Sequence, residues 1–202
     1  MTPFSDIVAR HLSVIKALDG IQAEVQTASN LIIDTFKRGN KLLLCGNGGS
    51  AADSQHIAAE FMVRYEKYRR GLPAVALTTD TSILTAHPND FEFDSVFARQ
   101  VENLGQAGDC LIAISTSGNS ANIINAVNAA QSARMQTIAL TGNQGGKLKN
   151  LADCTVIVPS DVTARIQEAH ILIAHWWCLR ADEIFSKKSD SSSISDSQTP
   201  DK

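Results

Sequence analysis

Lys41-Leu42-Leu43-Leu44-Cys45 is an apolar run entered from a lysine, and Gly46-Asn47-Gly48-Gly49-Ser50 follows it directly. A short continuous apolar run is how a parallel strand buried on both faces reads. The pattern returns at Cys110-Leu111-Ile112-Ala113-Ile114, followed by Ser115-Thr116-Ser117-Gly118-Asn119-Ser120. Glycine, serine and asparagine after a strand let backbone N–H groups turn toward an anion, and the N-terminus of the next helix adds partial positive charge. Two such loops point to a phosphorylated ligand, bound outside the carboxyl ends of the strands.

Working outward, residues 6–37 carry apolar positions at helical spacing, with Gly20 as a break and Lys37-Arg38-Gly39 as a stop signal. Beyond the first strand, helices are expected over 50–65, 81–86, 93–104, 120–133 and 163–185, with a short one opening at Gly145. Further strands are expected at 74–77, 136–140 and 154–158. This alternation predicts an α/β fold, a three-layer αβα sandwich on a five-stranded, mostly parallel sheet, preceded by N-terminal helices. The expected organisation is 1–38 as N-terminal helices making oligomer contacts, 39–186 as the α/β domain, and 187–202 as a polar, disordered tail.

Composition narrows the function. The 202 residues suit one core, a net charge of −3 with no basic stripe argues against nucleic acid, and no apolar run could span a bilayer. The N-terminus lacks the basic and apolar regions of a secretory signal, so a cytoplasmic location is expected. Four cysteines with no CxxC pair read as buried reduced thiols.

His56 and Glu60 stand four apart, which puts an imidazole and a carboxylate on one helix face, able to hold a zinc-like ion or to act as base and acid. Taken alone, the pair reads first as a solvated i,i+4 contact. On the last helix His170 and His175 are five apart and face different ways, so at most one shares a site with Gln167; His175, in an apolar stretch, is the one expected in a shielded place. Asn89-Asp90 reads as a turn or a polar ligand cluster. Arg64, one turn past Glu60, is within reach of a substrate hydroxyl or phosphate, whereas Lys67, Arg69 and Arg70 read as a solvated helix end.

Taken together, Cys45–Ala51, His56-xxx-Glu60, Asn89-Asp90-Phe91, Ile114–Ser120, Leu140-Thr141-Gly142, Gly145-Gly146-Lys147 and Arg165-Ile166-Gln167-Glu168-Ala169-His170, with His175 beyond, resemble the SIS (sugar isomerase) domain family and, within it, the phosphoheptose isomerases. The resemblance implies a flavodoxin-like SIS fold and conversion of sedoheptulose 7-phosphate into D-glycero-D-manno-heptose 7-phosphate for lipopolysaccharide core heptose. It also implies a homotetramer with one Zn2+ per subunit. By the same resemblance His56, Glu60, Gln167 and His175 are the metal ligands, with Glu60 the base and His175 the acid. Asn47, Gly48, Gly49, Ser50, Glu60, Arg64, Asn89, Asp90, Ser115, Thr116, Ser117, Ser120 and Gln167 are the implied substrate contacts. A non-enzymatic branch of the family, which binds the replication initiator DnaA, resembles the stretch Ala76–Ala86. That branch lacks the acid at the position of Glu60 and the histidine at that of His175, and both are present here.

Overall fold

The computed structural model of the chain describes residues 1–186; the stretch 187–202, expected to be a disordered tail, lies outside the described residues. In chain order the elements are α1 (Phe4–Ala17), α2 (Gln22–Lys37), β1 (Leu42–Gly46), α3 (Gly49–Met62), β2 (Ala74–Ala76), α4 (Thr81–Asp90), α5 (Val96–Leu104), β3 (Cys110–Ser115), α6 (Ala121–Ser132), β4 (Gln136–Thr141), β5 (Cys154–Ile157) and α7 (Thr163–Phe185). The break anticipated at Gly20 is a single 3-10 turn, Leu18–Ile21.

The strands form one sheet in the order β2-β1-β3-β4-β5. Every pairing is parallel, with Leu42 opposite Cys110 and Leu44 opposite Ile112. Alternation along each strand divides the core. Leu42, Leu44, Ile112 and Leu140 face α2, α3 and α7, where Ile32, Phe61 and Trp177 meet them. Leu43, Cys45, Leu111 and Ala113 face α5 and α6, against Val101 and Val127. Because β1 is buried on both sides, truncating Leu43, which is 0% exposed, would cost about 2–5 kcal/mol.

Several local expectations change. The helical stretch that begins over Thr81–Ala86 runs on as α4 through Pro88, and Asn89 and Asp90 are its last residues rather than a turn. Asp80 starts it by accepting from the Ile83 N–H at 3.0 Å. The helix lies on the surface with no buried residue, where water can take up the carbonyl that Pro88 leaves without a donor. All four cysteines are buried and unpaired, and burial pushes the Cys45 thiol up to about 12. Among the described residues no helix is long and apolar enough to cross a membrane.

Candidate active site

The sheet order has its switch between β1 and β3. The chain leaves β1 toward the layer of α2 and α7, and leaves β3 toward the layer of α5, so the loops after these two strands border one crevice. In the first loop Gly48 has φ +55°, a left-handed conformation that glycine adopts without strain. A Cβ on Gly49 would lie 2.6 Å from the Gln167 amide nitrogen, so α7 closes directly on the start of α3.

The second loop is held by its own polar groups. Ser115 and Ser120 share a hydroxyl–hydroxyl bond of 3.0 Å. Ser120 is the N-cap of α6 but makes no side-chain bond to that helix, so no capping side chain occupies the N–H groups at its start. The Thr116 carbonyl accepts from the Gly142 N–H and the Asn143 amide, each at 3.0 Å. Asn119 donates to the Ser117 carbonyl at 3.1 Å and accepts from the Lys147 N–H at 3.1 Å. Asn47 and Asn122 exchange two amide bonds of 2.9 Å, which lock the first loop to α6. This is a preorganised frame of hydroxyls and N–H groups at a helix N-terminus, the chemistry that holds a phosphate.

On α3, two turns beyond Gly49, the Nε2 atom of His56 lies 3.3 Å from Glu60 Oε1 and 3.2 Å from Nε2 of His175 on α7. Tyr65 stacks on the His175 ring with centroids 5.2 Å apart and planes at 24°. Burial lowers the His175 pKa, the His56 ring lowers it further, and Glu60 opposes both. Two imidazoles and a carboxylate, supplied by two helices, thus sit beside the crevice.

The remaining expected contacts are placed differently. Gln167 is packed on Gly49 at the loop, eight residues and about 12 Å along α7 from His175. Arg64 is exposed and donates to the Glu66 carbonyl at 3.3 Å. Asn89 donates to Asp90 at 2.8 Å, and both are exposed. Among the described residues, no hydrogen bond links Arg64, Asn89 or Asp90 to either loop, and no group of three or more His, Cys, Asp and Glu is arranged to hold a metal ion.

The family model described as SIS domain matches residues 4–142. A phosphoheptose isomerase of Aliarcobacter butzleri is 52% identical over 90% of this chain and 96% of its own length. That of a Roseiflexus species is 60% identical over 73% and 75%. The chain belongs to the phosphoheptose isomerases of the SIS domain family. The solved phosphoheptose isomerase GmhA from Neisseria gonorrhoeae superposes with a TM-score of 0.80 at 46% identity, over 90% of this chain and 100% of that one.

As a phosphoheptose isomerase the chain is an intramolecular aldose–ketose isomerase, and several buried polar residues around the loops and α3 escaped the sequence reading. Asn122, the 2%-exposed partner of the expected substrate contact Asn47, was not singled out. His170, not His175, is the shielded histidine: it is 0% exposed and bonds the Thr141 carbonyl at 3.0 Å, while His175 is half-buried. Residues 170, 173, 174, 177, 178 and 181 form the stripe of α7 that faces the sheet, and 175 lies off it. Arg69, read as a solvated helix end, has a fully buried side chain paired with Asp182. Asp53, one turn before His56, has a buried Oδ2 with no hydrogen-bond partner, and its pKa is raised by burial and lowered in part by His56.

Proposed function

We propose that this isomerase interconverts sedoheptulose 7-phosphate and D-glycero-D-manno-heptose 7-phosphate in the cytoplasm, for the heptose of the lipopolysaccharide core. The observation that carries the reading is the meeting of His56 and Glu60, on the helix that starts from one of the two phosphate-type loops, with His175 of α7. From Gly49 to His56 the helix rises about 10 Å, within the reach of an open-chain seven-carbon sugar phosphate anchored at the loops.

The chemistry moves a carbonyl from C2 to C1. Glu60 takes a proton from C1, the electron pair forms the C1–C2 enediolate, and the proton returns to C2 as O1 becomes the carbonyl. His175 carries the proton between O1 and O2. Ser115, Thr116, Ser117 and Ser120 cradle the phosphate with the N-terminus of α6, while Asn47, Gly48, Gly49, Ser50 and Gln167 line the sugar. Arg64, Asn89 and Asp90, which make no bond to either loop, are further sugar contacts only by the family resemblance. No net oxidation occurs, so no redox partner is required.

The donor types of the cluster, two imidazoles and a carboxylate, suit a divalent ion, although the described side chains are not arranged as a metal-holding group. Nitrogen and oxygen ligands of a tetrahedral zinc, bonded at 2.0–2.1 Å, lie about 3.3 Å from one another, and His56 stands 3.2 Å from His175 and 3.3 Å from Glu60. The orphaned carboxylate oxygen of Asp53 adds negative charge one turn away. His56, Glu60 and His175 would hold the ion; Gln167, the fourth ligand that the family resemblance implies, would have to leave its place on Gly49 to join them. When bound, one zinc per subunit supplies Lewis-acid polarisation of the substrate carbonyl.

The assembly we infer is a homotetramer joined through the N-terminal helices. In support, α1 has no buried residue, and Phe4, Val8 and Leu12 are exposed along it. An apolar groove of about 870 Å³ lies nearby, lined by Ile15, Leu18, Val25, Leu172, Ile173 and Trp176 among others. The deciding experiment is incubation of the purified protein with sedoheptulose 7-phosphate and detection of an aldoheptose 7-phosphate. Absence of that product would overturn the reading, and a pull-down with DnaA would then test the binding role.

A further inference from the structure

Asp182 lies seven residues after His175 on α7, two turns along at nearly the same angle around the helix. It is 0% exposed, yet its carboxylate is fully engaged by one short segment of chain. Oδ2 accepts from the Glu66 N–H at 2.6 Å and the Lys67 N–H at 2.7 Å, and Oδ1 accepts from Arg69 Nε at 2.7 Å. Burial by itself would raise the carboxyl pKa. The two backbone donors and the guanidinium outweigh it and hold Asp182 ionised, below the usual carboxylate range.

The other end of Arg69 reaches α3. Nη2 donates to the Glu60 carbonyl at 2.8 Å, and Nη1 donates to the carbonyls of Phe61 at 2.8 Å and Arg70 at 3.1 Å. Glu60 and Phe61 belong to the last turn of α3, whose carbonyls have no helical donors, so the guanidinium closes the end of the helix that bears the proposed base. Tyr65 immediately precedes the N–H groups that Asp182 grips, and its ring lies flat on His175.

Stability alone does not require an ion pair here. Apolar side chains of similar volume commonly fill such a space at little or no loss of stability. They could not hold two N–H groups and three carbonyls at fixed points. We propose that the buried Arg69–Asp182 pair is a positioning device for the acid–base centre, fixing the Tyr65 ring against the His175 imidazole and the Glu60 backbone at the end of α3. Arg69, Asp182 and Tyr65 are positioning residues that act through His175 and Glu60. The proposal rests on the isomerase reading of those two residues.

The test compares Tyr65→Phe, Tyr65→Leu and the double replacement Arg69→Met/Asp182→Leu by two independent readouts. The first is the NMR signal of the His175 ring protons, which a stacked aromatic ring moves upfield. It should persist in Tyr65→Phe and be lost in Tyr65→Leu and in the double replacement. The second is turnover of sedoheptulose 7-phosphate. For Tyr65→Leu and the double replacement we expect kcat to fall at least about tenfold with KM within about threefold, and Tyr65→Phe to remain within about threefold of the parent. A folded double replacement that keeps the parental ring shift or the parental kcat overturns the proposal. So does a Tyr65→Leu that turns over normally, or a Tyr65→Phe as impaired as Tyr65→Leu. Should the double replacement fail to fold, the two Tyr65 variants decide alone. A parent protein inactive on the sugar phosphate would instead refute the isomerase reading, while the ring shift would still report whether the pair places Tyr65.

Discussion

Nε2 of His56 and Nε2 of His175 stand 3.2 Å apart although 119 residues separate them in the chain. Two imidazole nitrogens at that distance either share one proton or direct two lone pairs at one cation. Glu60 is beside them, its Oε1 3.3 Å from His56.

Replacing Glu60 by Gln keeps the shape and hydrogen-bonding capacity of the side chain but removes its ability to take a proton from carbon. We expect kcat to fall by about 10² to 10⁴, the usual worth of a positioned general base, with an unchanged circular dichroism spectrum. Near-parental turnover by this variant would remove Glu60 from the role of base.

Ser117→Ala combined with Ser120→Ala deletes two hydroxyls of the loop after β3, including the one that bonds Ser115 at 3.0 Å. Hydrogen bonds to a charged group contribute about 1.5–3 kcal/mol each, so KM for the sugar phosphate should rise by at least about tenfold with a smaller change in kcat. Steady-state kinetics check this, and an unchanged KM would mean that the phosphate binds elsewhere.

Metal analysis of the purified protein should find about one zinc per chain, and His56→Ala should lower that content sharply, because an imidazole ligand is lost from a site with few donors. Protein that is free of metal and fully active would exclude the ion from the reaction.

His170 makes stability depend on pH. Burial lowers its pKa to about 4, opposed in part by the bond to the Thr141 carbonyl. In the unfolded chain a histidine titrates near 6.5. As pH drops below that value the unfolded chain gains a proton that the folded ring refuses. The stabilisation from the neutral ring is therefore present above pH 6.5 and is lost as pH falls toward 4, by about 3 kcal/mol in all. Urea unfolding at pH 7.5 and 4.5 should show a smaller loss for His170→Gln than for the parent, and equal losses would count against a neutral buried ring.

Much of the architecture was legible because it depends on local patterning. The runs at 41–45 and 110–114 predict parallel strands, and the register of Leu42 with Cys110 joins them as neighbours at the switch of the sheet. Long-range polar pairing was not legible. Arg69 sits in a basic run that reads as solvent-facing, and Asp182 stands near a helix end, so nothing in either neighbourhood announces a fully buried bond of 2.7 Å. His175 was expected to be the shielded histidine because apolar neighbours surround it in sequence; the helical stripe that packs on the sheet buries His170 instead.

Sequence by itself determined the strand–loop–helix units, the glycines that let α3 begin at once after β1, and the helical spacing that puts His56 beside Glu60, because these follow from backbone sterics and side-chain periodicity over a few residues. Only the tertiary structure decided that α7 lies along α3 so that His175 meets that pair, that Gln167 rests on Gly49, and that Asp182 reaches back to the 66–69 segment. Those contacts span more than a hundred residues and form when the apolar faces of both helices are buried on one side of the sheet, a result of packing the whole core that no local pattern encodes.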